Sequence, residues 1–279
     1  MTLTFAPATP FKINSEKVSI YLFGKPHNFS PRDNAGIVTE TLKFYAINNG
    51  VTNIFAPSCE KFNAEVVWEK SFRQKIRFRG GLTIRKGVFA DGVVLENRQD
   101  AFFVPSADCP TVVATGKYIV IAAHAGRDCL LDKQKIHTGK RSRRNGSVVD
   151  AIMEKYIMAG EFIKDLRVFI TCGIKAENFR HPINHPQYGK KNEVLINHLL
   201  TEYGEDCLKG NPEEGKISLD GLIKTQFLRH GVPPENLLAD GIDTFSDNIL
   251  DEHVWHSCAR AKTQEEKGQR NGVFIFRKF

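Results

Sequence analysis

The chain has 279 residues, 41% of them hydrophobic and 25% charged, and carries a formal net charge of +7. That length is enough to bury a large core in one α/β unit or two smaller ones. No apolar run approaches the roughly 18 residues that span a bilayer, so no membrane partner is expected.

The opening segment MTLTFAPATPFKINSEK has neither a basic n-region nor an apolar h-region, and secretion is not expected. Cysteines at 59, 109, 129, 172, 207 and 258 are too irregularly spaced for a disulfide framework and point to a reducing cytoplasm. No Pro/Gly/Ser-rich linker or internal repeat divides the chain, so a single domain over 1–279 is expected.

In chain order, Val18–Phe23 predicts a first strand. Residues 34–49 predict a helix with Val38, Leu42 and Tyr45 on one stripe and Gly50 as its stop. Short strands are predicted at 54–56 and Gly92–Leu95, followed by an apolar stretch at 101–105. The runs 111–114 and 118–123, separated by Thr115-Gly116-Lys117, read as a hairpin. Residues 147–164 predict a helix with Val148, Ile152, Met153, Tyr156 and Ile157 facing a core. Arg167–Thr171 predicts a strand, and 192–203 and 218–230 predict helices, the second ended by Gly231 before Pro233. Leu237–Ala239 and 273–276 are the last predicted strands. A central hairpin within this order argues an α+β fold, a mixed β-sheet core with flanking helices, and not a doubly wound sheet.

The chemistry concentrates at the hairpin's two ends. Ala107-Asp108-Cys109-Pro110 leads into it, and His124-Ala125-Gly126 follows fifteen residues after the cysteine. A hairpin returns its ends to nearly the same place, so a thiol and an imidazole are expected side by side, with Gly126 leaving room. The pair reads either as shared metal ligands or as a nucleophile and its base. The plain alternative is a buried structural cysteine beside a hydrogen-bonded histidine. Asp108 is expected to be an orienting hydrogen-bond acceptor and not an acid catalyst.

The runs SADCPTVVA at 106–114 and IAAHAGRDC at 121–129 resemble the core of the YfiH-like family. That family is also called the multicopper polyphenol oxidase (laccase) family, or DUF152, and its members carry tADClPvll and then vaaHAGwrG. Ala90-Asp91-Gly92-Val93-Val94 is similar to the family's aDalvT stretch. Trp255-His256-Ser257-Cys258-Ala259-Arg260 sits where the family has FfSyRR, and Gly268-Gln269-Arg270-Asn271 matches its closing GRn. The resemblance covers residues 18–279 and implies the YfiH-like α+β fold, related to that of a bacterial deamidase toxin with a Cys–His site.

The chain departs from that pattern in places. Family members bind zinc through a His of a QvHg motif together with the Cys and His already described. Residues 61–67 fall on that motif and put Phe62 where the first His stands. The tryptophan of HAGwrG is replaced by Arg127, and Asp243 precedes Thr244 where the family has a CT pair. A catalytic zinc keeps three protein ligands and one open position; Cys109 and His124 supply two. Cys59, Cys129, His137, His181 and His185 are the candidates for a third. Without one, Cys109 with His124 as base makes a metal-independent thiol hydrolase or amidase dyad, since a neighbouring imidazolium favours thiolate.

The resemblance implies purine nucleoside chemistry. Characterised relatives are purine nucleoside phosphorylases that also deaminate adenosine and cleave methylthioadenosine; the laccase label assumed copper and phenol oxidation. On that reading Cys109 and His124 are catalytic and hold the metal, zinc or alternatively copper. Arg127, Arg260 and Arg270 hold phosphate through planar forks, and the partners are small molecules, a purine nucleoside plus phosphate. Two rivals stay open. One is the Cys109–His124 hydrolase, which suits relatives linked to editing peptidoglycan precursors. The other is a degenerate member that binds a nucleotide without turnover, for which Phe62 speaks.

Lys133, Lys135, Lys140, Arg141, Arg143 and Arg144 fall within twelve residues, together with His137. This insertion reads as a solvated mobile loop, as an electropositive lid over an anionic substrate, or as a cluster with nonspecific phosphate affinity. No aromatic stacking platform or DNA-binding motif accompanies it, so no specific nucleic-acid partner is expected. Gly80-Gly81 lacks the lysine of a P-loop, and Pro182 and Pro186 keep His181 and His185 off one helical face.

Overall fold

The computed structural model describes residues 10–30 and 35–278. Two mixed sheets form its centre. The seven-stranded sheet runs, in spatial order, Phe11–Asn14, Val18–Phe23, Asn271–Arg277, Asp100–Ser106, Asn53–Phe55, Thr83–Lys86 and Gln74–Arg77. The six-stranded sheet runs Leu237–Ala239, Arg167–Thr171, Thr111–Thr115, Val120–His124, Gly92–Leu95 and Val66–Trp68.

Successive side chains on a strand point to opposite faces, and this alternation sorts the residues into three cores. Val113, Val120 and Ala122 of one sheet meet Ile20, Leu22, Phe102, Val273 and Ile275 of the other in the space between them. Val112, Ala114, Ile121 and Ala123 point the opposite way, into a core completed by helices Val148–Met158, Gly189–Tyr203 and Leu219–Arg229. Tyr21, Phe23, Phe103 and Phe274 pack on Val38, Leu42 and Ala46 of helix Ala35–Asn48. The layers are helix, sheet, sheet, helix: an α+β fold of mixed sheets with flanking helices.

The predicted central elements are present, with informative differences at the margins. Strands Phe11–Asn14 and Gln74–Arg77 are edge strands with mostly exposed side chains, so no apolar run announced them. The helix expected over 147–164 stops at Met158, where Gly160 takes a left-handed φ of 75°. Its start is fixed by a capping box between Ser147 and Asp150. Ile157, expected in the core, is 54% exposed. Residue 34, the expected start of the first helix, lies outside the described residues.

The basic insertion is not a loose loop. Lys133–Thr138 is a short helix, capped by the Asp132 side chain and closed by Gly139 in the left-handed region. Ser142 folds back on the Asp132 carboxylate through its backbone N–H and its hydroxyl. The Arg143 guanidinium donates to the carbonyl oxygens of Phe62, Asp128, Cys129, Asn145 and Gly146. No helix among the described residues is long and apolar enough to cross a membrane.

Glu69, in the turn Glu69–Ser71, ties that turn to the neighbouring strand. Its Oε1 accepts from the Glu96 backbone N–H at 2.7 Å, and its carboxyl hydrogen-bonds that of the buried Asp100. Burial, followed by this contact, raises the Glu69 pKa to about 8. Above the ordinary glutamate pKa the folded state keeps a proton that the unfolded chain releases, so the group's contribution to stability declines as pH rises towards about 8. Glu69→Gln retains a donor without the titration. Thermal melts between about pH 5 and pH 8 should show this decline in wild type and a flatter profile in Glu69→Gln.

Candidate metal and thiol centre

Antiparallel pairing sets Thr111 opposite His124, so Cys109 and His124 converge at the open end of the hairpin. Gly126 permits their approach: a Cβ there would lie 2.7 Å from Cys109 Sγ and 3.2 Å from His124 Cε1. The adjoining strand brings in Asp91. Gly92 pairs with Ala123, and a Cβ on Gly92 would lie 2.6 Å from that of Ala123, so only glycine fits between the strands. The Asp91 carbonyl accepts from the His124 backbone N–H at 2.8 Å.

The Asp91 side chain is fully buried. Its Oδ2 accepts from the Ala64 backbone N–H at 2.8 Å. Its Oδ1 accepts from the Cys129 thiol at 3.1 Å and lies 3.7 Å from His124 Nδ1. Cys129, on the short helix Arg127–Leu130, also places its sulfur 3.4 Å from that Nδ1. Cys59 completes the cluster: its sulfur, an Asp91 carboxylate oxygen and a His124 ring nitrogen lie within 4.8 Å of one another.

The electrostatics follow from this crowding. Burial opposes charging His124, but the Cys129 and Cys109 thiols and the Asp91 carboxylate outweigh it and hold the imidazole pKa well above its ordinary value. Burial pushes the Cys59 thiol up to about 12 and the Cys129 thiol up to about 11, with His124 pulling each back. A bound cation would reverse that balance, since metal-coordinating thiols are deprotonated.

The donor set fits a divalent ion. Zinc–sulfur bonds of about 2.3 Å and zinc–nitrogen bonds of about 2.0 Å put tetrahedral donors about 3.5 Å apart, a modest contraction of the cluster as it stands. Phe62, which the motif resemblance sets where the family's first histidine stands, has its ring centre 5.9 Å from that of His124 and offers no donor. Cys59, three residues earlier, offers one.

A cavity of 1160 Å³ opens on this centre, with Cys59, Phe62, Phe89, Cys109, His124 and Arg270 among its lining residues. Arg270 is the one predicted phosphate-binding arginine on its wall; its Nη1 donates to the Lys267 and Gln269 carbonyls. Arg260 and Arg127 are not brought there. The Arg260 guanidinium donates to the carbonyls of Thr244, Phe245 and Trp255. Arg127 pairs with Asp128, contacts His181 Nε2 and lies over the Phe179 ring.

Of the other third-ligand candidates, Cys129 sits within the cluster, and the three histidines are placed elsewhere. His137 is exposed on the insertion helix. His185 Nδ1 accepts from the Gln187 and Tyr188 backbone N–H groups. His181 has its pKa lowered to about 4 by burial and by Arg127. Asp108, at φ 82°, accepts from Thr244 Oγ1 and the Ala259 backbone N–H, each at 2.8 Å, which ties the Cys109 loop to two distant loops. Asp91 was missed as a site residue. Its signal was the following glycine at the start of an apolar strand, which marks a close backbone approach.

No family model and no curated relative matches the sequence. The fold is nevertheless that of the YfiH-like proteins, in agreement with the resemblance read from the motifs. The YfiH protein of Bacillus licheniformis, a hypothetical protein, superposes with a TM-score of 0.62 at 15% identity, covering 93% of this chain and 92% of its own. A Neisseria meningitidis protein described as DUF152 gives 0.64 at 15% identity, covering 97% of this chain and 100% of its own. YlmD from Geobacillus stearothermophilus gives 0.64 at 16% identity, covering 98% and 100%.

Two substitutions probe the centre. Native mass spectrometry should find one zinc per wild-type chain and none in Cys59→Ala. Gly126→Ala drives a methyl group against the Cys109 sulfur and should weaken zinc binding about tenfold to a hundredfold in a chelator competition.

Proposed function

We propose that this chain is a metal-dependent enzyme acting on purine nucleosides, by phosphorolysis and with adenosine deamination as a companion activity. The observation that carries the reading is a thiol–carboxylate–imidazole donor cluster opening into a large cavity with an aromatic wall and one arginine fork. Cys59, Asp91 and His124 would hold the ion, zinc with copper as the alternative, which leaves a fourth position open towards the cavity that Cys109 also lines. Once bound, the metal supplies Lewis acidity and lowers the pKa of coordinated water.

The chain's own residues do the remaining work. Arg270 binds phosphate by charge and hydrogen bonding. The phenylalanine wall holds the base and excludes water from the reacting bond. Asp91 orients His124, and Asp108 keeps the Cys109 loop rigid through its two acceptor oxygens. All six cysteines are unpaired, which supports a reducing, cytoplasmic setting.

The test is release of base from adenosine and inosine with and without inorganic phosphate, with ammonia release from adenosine measured in parallel. Phosphate-dependent release should fall at least about a hundredfold on chelation and in His124→Ala, more than the loss of an outer-shell partner costs. Wild type that releases base at the same rate without phosphate, or not at all, ends the phosphorylase reading.

One observation favours a second reading. Cys109 hydrogen-bonds the His124 imidazole, whose Nδ1 lies 3.7 Å from Asp91 Oδ1, so a nucleophile, a base and a carboxylate share one centre. A thiol hydrolase or amidase built this way is inactivated by iodoacetamide in proportion to Cys109 alkylation and is indifferent to chelators.

A further inference from the structure

Phe62 occupies a backbone conformation that bulky side chains avoid. Its φ is 46° and that of Ala64 is 54°, both in the left-handed region that favours glycine. The surrounding contacts hold it there. The Phe62 N–H donates to the Cys59 carbonyl at 3.3 Å, and the Phe62 carbonyl accepts from Arg143 Nη1 at 3.0 Å. The Asn63 amide donates to the Phe89 carbonyl at 3.3 Å. The Ala64 N–H donates to Asp91, and the Ala64 carbonyl accepts from the Asn145 amide at 3.2 Å.

This over-determined turn does not bury the ring. Phe62 stays 42% exposed on the cavity wall, tilted 36° to the His124 imidazole. Phe89, 48% exposed, and Phe179 line the same cavity. The strained backbone thus holds the ring beside His124 and leaves part of its face open to the cavity, where a flat molecule can cover it.

We propose that Phe62 is the stacking platform for a planar ring of the bound molecule, and that Arg143 is the positioning residue that holds the platform beside His124. The ligand class is a flat conjugated ring, a heteroaromatic base or a phenol. An extended peptide or a bare sugar phosphate offers no such face. Arg143 thereby gives the basic insertion a function directed into the molecule: its donors support the carbonyls behind the site. The identity of the ring as a purine rests on the nucleoside reading, whereas the platform does not.

Calorimetric titration of the full chain with adenosine, adenine, phenol and ribose 5-phosphate tests this, with metal content and melting temperature recorded for each variant. Stacking on one side chain accounts for about tenfold to a hundredfold in affinity. Phe62→Leu should therefore weaken binding of the flat-ring probes by about that factor, with ribose 5-phosphate and metal content unchanged, and Phe62→Trp should restore it. Arg143→Met should weaken the same probes and spare ribose 5-phosphate; if it fails to fold, the Phe62 pair decides. Binding of phenol but not of adenine or adenosine, still dependent on Phe62, keeps the platform and removes the nucleoside reading. Flat-ring binding that is equal in wild type and Phe62→Leu, or absent from wild type, overturns the inference.

Discussion

The contact between Gly92 and Ala123, closer than any added Cβ would permit, draws two strands together at the end that carries Asp91 and His124. A carboxylate and an imidazole forced into that space must compensate each other, because an unpaired buried charge costs several kcal/mol. The thiols of Cys129 and Cys59 are drawn into the same balance, each pushed up by burial and pulled back by His124. Deleting one partner leaves the rest buried and under-satisfied. The centre is in that sense a single unit distributed over four chain segments.

Much of the centre could be read from residue order alone. A Thr-Gly-Lys break between two apolar runs predicts a hairpin, and a hairpin brings Cys109 to His124 without knowledge of the wider fold. Asp91 could not be found that way, since it reaches His124 through pairing between strands that are far apart in sequence. The fate of Arg260 was equally hidden: its fork matches a phosphate as well as it matches carbonyl oxygens, and only the fold brings three carbonyls to it. The insertion carries a local helix signal, Asp132 before and Gly139 after a six-residue run, within a charge density equally typical of a solvated loop.

Charge in that insertion is divided by direction. Arg143 turns inward, half-buried, and uses its donors on backbone carbonyls, while Lys135, Lys140, Arg141 and Arg144 remain exposed. Lys133 is bound to Asp128 and Arg144 to Glu154, so part of the outward charge is also neutralised locally. A net charge counted over the segment therefore overstates the field it presents. One arginine among these cations shapes the wall of the cavity.

The position of strand Asn271–Arg277, between Val18–Phe23 and Asp100–Ser106, bears on how the protein is made. The six-stranded sheet is complete within residues 66–239, but the seven-stranded sheet stays split until residue 277 has left the ribosome. Segments held so far apart in sequence pair late. Cys59, Asp91, Cys109, His124 and Cys129 are all present by residue 129, together with most of the residues that line the cavity, whereas Cys258 and Arg270 are contributed from beyond residue 250. The donor cluster and most of the cavity wall can therefore come together before the strand that joins the two parts of the seven-stranded sheet has been made.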